Sequence, residues 1–132
     1  MNLKDIIIEL PKISDARGNL CIAEFRILPF TPHRMFWIYD IPPGKTRGGH
    51  AHKSCEELIV PLCGHFDIYV DDGHTNNVIK MSDPNKGIYI QKGVWCELRN
   101  FSPGTICLVF ASEPYNAKGY VDDYESFKAS FF

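Results

Sequence analysis

Two histidines separated by one alanine, His50-Ala-His52, are the side chains of this chain best suited to moving protons. A strand reverses side-chain direction at each residue, so this spacing puts both imidazoles on one face. Imidazole titrates near neutrality and can serve as either acid or base. Arg47 lies just upstream; its planar fork suits a sugar oxygen or a diphosphate, or else a surface salt bridge. Glu56 and Glu57 lie just downstream. Being consecutive, they face opposite ways in a strand, so at least one meets water. An inward carboxylate can orient a histidine and fix its tautomer. Proton transfer is the leading reading. The same groups also form a ligand set, His50, His52 and Glu57 with Cys96 in reserve, that a transition metal could use. A bland alternative is a hydrogen-bonded histidine pair on a sheet.

The elements that must hold these residues read as strands. Short apolar runs alternate with turn signals: Ile6–Ile8, Leu20–Ile27, Met35–Tyr39, the run around His50, Glu57–Leu62, Phe66–Val70, Val78–Met81, Gly87–Ile90, Trp95–Leu98 and Thr105–Ala111. Asp15-Ala-Arg-Gly18, Pro42-Pro-Gly44 and Asp71-Asp-Gly73 mark turns. Many short strands at this spacing predict an all-β sandwich or barrel. Only the tail changes period: Tyr120, Tyr124, Phe127 and Phe131 recur at three to four, which predicts a short amphipathic helix beginning near Tyr120. Trp37 and Tyr39 share one strand face and Phe36 takes the other. The aromatics, Trp95 included, are either core or a platform for a ring.

The 132 residues fit one domain, and a net charge of -2 without a Lys/Arg cluster argues against a nucleic-acid partner. No apolar run is long enough to span a membrane, and the first residues do not resemble a secretion signal. Five cysteines without a CxxC pair fit a reducing compartment, so the cytoplasm is the expected location. Cys21, Cys63 and Cys107 sit in apolar runs and are expected to be buried.

Gly44-x5-His50-x-His52-x4-Glu57-x6-Gly64 and Gly93-x2-Cys96-x3-Asn100 resemble the two motifs of the cupin superfamily. Within it, Arg34-Met-Phe-Trp-Ile-Tyr-Asp40, Arg47-Gly-Gly-His-Ala-His-Lys53 and Gly93-Val-Trp-Cys-Glu97 resemble the dTDP-sugar 3,4-ketoisomerases. So do Asp15-Ala-Arg-Gly-Asn-Leu20 and, near the other end, Ala111-Ser112 with Asp122–Phe127. The likeness covers nearly the whole chain.

The resemblance implies a single cupin domain over 1–132, a jelly-roll barrel or sandwich with a short C-terminal helix. It implies an isomerase that moves the keto group of dTDP-4-keto-6-deoxyglucose from C4 to C3 through an enediol, with no metal and no other cofactor. His50 and His52 would be catalytic; likeness slightly favours His52 as the base, and the sequence alone does not order the two. Arg17, Arg34, Arg47, Trp37, Tyr39 and Trp95 would touch substrate, and Glu56 or Glu57 would supply the orienting carboxylate. A homodimer with exchanged N-terminal strands is the expected assembly. Two departures stand out: ketoisomerases carry His at the position of Cys96 and tend to carry Gln at that of Glu57. A metal-dependent cupin enzyme using His50, His52 and Glu57, or a non-catalytic nucleotide-sugar-binding cupin, therefore remains as an alternative. A 3,5-epimerase fits the histidine stretch less well. Product configuration at C4 is open.

Overall fold

A computed structural model describes residues 1–130. Twelve strands run through it: β1 (Ile7–Glu9), β2 (Lys12–Asp15), β3 (Gly18–Cys21), β4 (Arg34–Ile38), β5 (Arg47–His52), β6 (Glu57–Cys63), β7 (Phe66–Asp71), β8 (Asn76–Met81), β9 (Lys86–Ile90), β10 (Trp95–Arg99), β11 (Ile106–Ala111) and β12 (Tyr120–Val121). A one-turn helix α1 (Leu3–Ile6) precedes β1, and α2 (Tyr124–Ala129) follows β12.

Two five-stranded antiparallel sheets face each other, in the orders β1-β9-β6-β11-β4 and β12-β5-β10-β7-β8. The result is a β-sandwich with a short C-terminal helix. The two-residue period of each strand sorts its side chains. Ile59, Phe66, Ile68, Val70, Ile88, Leu98, Cys107 and Val109 fill the space between the sheets. From the same strands, Leu58, Val60 and Phe110 point outward beneath Leu10, Leu28 and Phe30. No helix among the described residues is long and apolar enough to cross a membrane.

Three expectations about elements change. The run Leu20–Ile27 is not one strand: β3 ends at Cys21 and a 3₁₀ turn, Phe25–Ile27, follows. The C-terminal helix starts at Tyr124, because the Asp123 side chain caps it by accepting from the Ser126 backbone N–H. Tyr120 therefore lies in a strand, paired with His52, while Phe131 lies outside the described residues. Cys107 is buried, but Cys21 and Cys63 are exposed, since they occupy strand ends away from the core.

β2 and β3 form a hairpin of their own that joins neither sheet. All eight of its strand residues are exposed, including Ile13 and Leu20. Its tip is tied by Arg17, whose backbone N–H and guanidinium both donate to the Asp15 carboxylate.

Candidate active site

The inward face of β5 carries His50 and His52, and its outward Ala51 packs with Trp95 and Phe127. A register shift against β10 aligns Cys96 with His50 but Glu97 with Gly48. The bulge needs Gly48, which sits at φ 79° with the Cys96 carbonyl oxygen only 2.9 Å from where a Cβ would be. Arg47, just before the bulge, lines the mouth of a cleft of about 180 Å³. Phe36, Ile38, Ile59, Leu98 and Val109 supply its apolar wall; His50, Glu57, Cys96 and Tyr120 bring the polar atoms.

Inside this cleft the rings crowd. His50 and His52 meet edge to face at 4.8 Å between centroids, and Tyr120 lies 4.8 Å from His50 and 4.5 Å from His52. His50 is partly exposed, whereas His52 is 4 % exposed and stands behind it. His52 Nε2 comes within 3.3 Å of Glu57 Oε1. The angle between them is outside hydrogen-bonding range, so that nitrogen has a charged neighbour but no protein hydrogen-bond partner.

Burial lowers the pKa of His50, and the neighbouring His52 lowers it further; Glu57 and Asp122 act in the opposite sense. His50 is therefore neutral at pH 7 and free to accept a proton. Burial, with Glu57, Cys107 and Glu97 adding to it, pushes the Cys96 thiol well up. The Cys107 thiol is pushed up to about 12, by burial and then Glu57. Both remain protonated at neutral pH, so neither is a nucleophile. The donor atoms of His50, His52 and Glu57 lie within 4.8 Å of one another. Ligands about 2.1 Å from a tetrahedral zinc sit about 3.4 Å apart, so this set would have to contract to hold one.

The two glutamates separate, with Glu57 the first residue of β6 and Glu56 in the connection before it. Glu57 shares the inward face of β6 with Ile59 and joins the histidines. Glu56 points to the opposite face and accepts a short hydrogen bond from the Tyr89 hydroxyl.

The other expected contacts disperse. Arg17 is at the hairpin tip with its side chain 91 % exposed. Trp37 points out from β4 and Tyr39 lies just past its end, 58 % and 59 % exposed, beside a groove formed with Asp40, Gly104, Thr105 and Ile106. Trp95 is buried on the outer face of its sheet; it packs on Tyr124 and Phe127 and donates its ring N–H to Glu97. Arg34 does not line the main cleft. It borders a smaller cavity behind His52. Tyr120, absent from the sequence-derived site, joins both histidines. Its signal was the Asp123 cap, which starts the helix after it and leaves it free for a strand.

The comparisons with known proteins agree on one family. Residues 1–131 match the family model FdtA: WxcM-like, C-terminal. The chain is 35% identical over 127 residues to the TDP-4-oxo-6-deoxy-alpha-D-glucose-3,4-oxoisomerase of Aneurinibacillus thermoaerophilus, covering 96% of this chain and 91% of that protein. Its fold is similar to that of a 3,4-ketoisomerase from Helicobacter canadensis, with a TM-score of 0.89, 38% identity and 94% of each chain covered. It is also similar to QdtA, a sugar 3,4-ketoisomerase from Thermoanaerobacterium thermosaccharolyticum solved with TDP. There the TM-score is 0.90 at 31% identity, covering 94% of this chain and 91% of that one.

Proposed function

We infer the chemistry of the cleft from a family premise: this chain belongs to the FdtA family, WxcM-like, C-terminal. It is a 3,4-ketoisomerase that moves the keto group of TDP-4-keto-6-deoxyglucose from C4 to C3 by proton transfer. The observation that carries this reading is a neutral, partly exposed His50 in a mostly apolar cleft, backed by a second histidine and a carboxylate.

His50 takes the proton from C3, and the electron pair left behind forms the C3–C4 double bond as O4 gains a proton. The intermediate is an enediol. O3 then gives up its proton, the C3 ketone forms, and C4 receives a proton. The net change is an exchange of oxidation state between two carbons, with no external oxidant or reductant. The Tyr120 hydroxyl and His52 are the nearby groups able to pass protons to and from the two oxygens. Glu57 offsets positive charge on either histidine. Arg47, at the mouth, binds the diphosphate, where a guanidinium fork is well matched to phosphate oxygens.

The two facing sheets with one shared core support a single cupin jelly-roll domain over 1–132. Five free thiols fit a cytoplasmic enzyme. The bare hairpin supports a homodimer in which β2 and β3 are exchanged, hiding Ile13 and Leu20 and delivering Arg17 to the partner's cleft. That placement restores Arg17 to substrate binding, which it cannot reach within its own chain's cleft lining.

A second reading has one observation in its favour, the convergence of His50, His52 and Glu57 donors, which is the start of a metal site. Proton NMR of the chelator-treated protein with TDP-4-keto-6-deoxyglucose in deuterated buffer separates the two. Ketone transfer to C3 with deuterium at C3 or C4 is expected and also gives the C4 configuration. Activity that returns only when a transition metal is restored would move the assignment to a metal cupin; binding without turnover under either condition would make the protein a nucleotide-sugar-binding cupin.

A further inference from the structure

We propose that Asp71, although it lies outside the cleft, positions Tyr120 for the reaction by latching α2 through the Tyr124 hydroxyl. Resting on the ketoisomerase reading, this makes Asp71 and Tyr124 positioning residues rather than catalytic ones. Tyr120 needs such a device. Its ring meets both histidines and lines the cleft. Yet β12 is two residues long and pairs with β5 only as Tyr120 with His52 and Val121 with Ala51. One further bond, from the Lys53 backbone N–H to the Gly119 carbonyl at 2.8 Å, precedes it. The connections on either side, residues 114–118 and 122–123, are exposed. So short an edge strand, with few hydrogen bonds and exposed flanks, opens easily unless another element holds it.

The hold comes from α2. Val121, Ala51, Trp95 and Asp71 stand side by side on β12, β5, β10 and β7, one row across the sheet. Across this row lies α2: Phe127 is buried against Ala51 and Trp95, with Val121 packed beside them, and Tyr124 meets Trp95 edge to face at 5.1 Å between centroids. At the end of the row away from β12, the Tyr124 hydroxyl donates to Asp71 Oδ2 at 2.5 Å. The Tyr69 hydroxyl lies 3.0 Å from that of Tyr124 and donates to the same carboxylate oxygen at 3.3 Å. Asp71 Oδ1 accepts from the Gly73 backbone N–H at 2.8 Å, so both oxygens are fixed. Asp71 is only 6 % exposed, and a hydrogen bond to a carboxylate is stronger where water is kept out. The bond to Asp71, and then that to Tyr69, pushes the pKa of the Tyr124 hydroxyl up, so it stays a donor around neutrality. Apolar contact is not directional and would let a six-residue helix slide. The hydrogen bond to Asp71 fixes where α2 stops along the row, and with it Tyr120, four residues upstream.

The test joins hydrogen exchange with kinetics on the intact protein. Tyr124→Phe keeps the ring on Trp95 and removes the hydroxyl. Without substrate, it should speed amide exchange over residues 117–123 about tenfold, the effect of losing one hydrogen bond, while β6 exchanges as in wild type. With substrate, it should lower kcat about tenfold at unchanged KM, because a small displacement of a catalytic group is enough for such a loss. Asp71→Asn, which keeps the shape but has one acceptor oxygen fewer, should move both readouts in the same direction. A double-mutant cycle identifies the route. In a Tyr120→Phe background, Tyr124→Phe should lower kcat by less than about twofold more, since the hydroxyl it positions is gone. The proposal is overturned if exchange over residues 117–123 does not change in Tyr124→Phe, or if the kcat loss is undiminished in the Tyr120→Phe background. It is also overturned if β6 exchanges faster to the same degree, which would make the Asp71 cluster a general staple of the fold. The exchange readout needs no turnover, so failure of this proposal stays separate from failure of the ketoisomerase reading.

Discussion

In the histidine cleft, His52, Glu57 and Cys96 are 4 %, 5 % and 3 % exposed, on strands that have neighbours on both sides. In the N-terminal hairpin every strand residue is exposed, and its arginine reaches into solvent. Both regions carry residues that the sequence marks for the same reaction. The cleft gathers its titratable groups within one chain: burial lowers the pKa of His50, and the sheets fix the direction of its side chain. The hairpin is incomplete, since two strands with no core of their own gain stability only against another surface. Residues that move protons must be held rigidly, whereas a residue that grips a nucleotide can arrive on an arm.

The sharpest way to break this contrast is to remove the proton carrier. His50→Asn should lower kcat by about 10²–10⁴-fold, the usual contribution of a positioned acid–base group, while TDP binding by calorimetry stays near wild type. Equal losses in binding and turnover would mean that the cleft holds substrate rather than transferring its protons. On the hairpin the pattern should invert. Arg17→Ala should raise KM about 10–100-fold with little change in kcat, the cost of a lost hydrogen bond between charged groups. Ile13→Asp with Leu20→Asp should turn a dimer into a monomer in analytical ultracentrifugation, and an unchanged mass would refute the exchanged-arm assembly.

Removing the helix support comes next. Phe127→Ala should cost about 3–5 kcal/mol in denaturant unfolding, because it empties the contact with Trp95 that seats α2 behind β5. The smallest effect is a shift in pH dependence. His50 must be neutral to accept a proton, and its pKa lies below the ordinary 6.5. The acid limb of kcat/KM should therefore fall below pH 6.5, with activity lost as pH decreases through that value. Glu57 raises the pKa of His50, so Glu57→Gln should move the limb to still lower pH. A limb that moves upward would show that Glu57 acts on another group.

Several of these features could be read from the chain before any folding. Alternating runs and turn residues marked most of the strands, and His50-Ala-His52 marked two residues of the candidate site. Other positions could not be read that way. Leu20–Ile27 looked like one strand because local hydrophobicity does not show where pairing ends. Tyr120 looked helical because its spacing to Tyr124 matches a helix period, yet strand pairing with His52 claimed it. Trp37 and Tyr39 looked like one face of one strand, but β4 ends at Ile38 and both side chains are exposed. Trp95 and Arg34 shared motifs with site residues; one joined the helix contact and the other the rear cavity.

The sequence by itself determined that the two histidines share a face and that the chain builds sheets. These follow from the two-residue period of a strand, a local property. Only the tertiary structure decided that Glu57 rather than Glu56 joins the histidines, that His50 meets the cleft while His52 stands behind it, and that Arg34 borders a separate pocket rather than the cleft. Each depends on which face of a strand turns toward the opposing sheet, and that is set by burial summed over residues far apart in the chain.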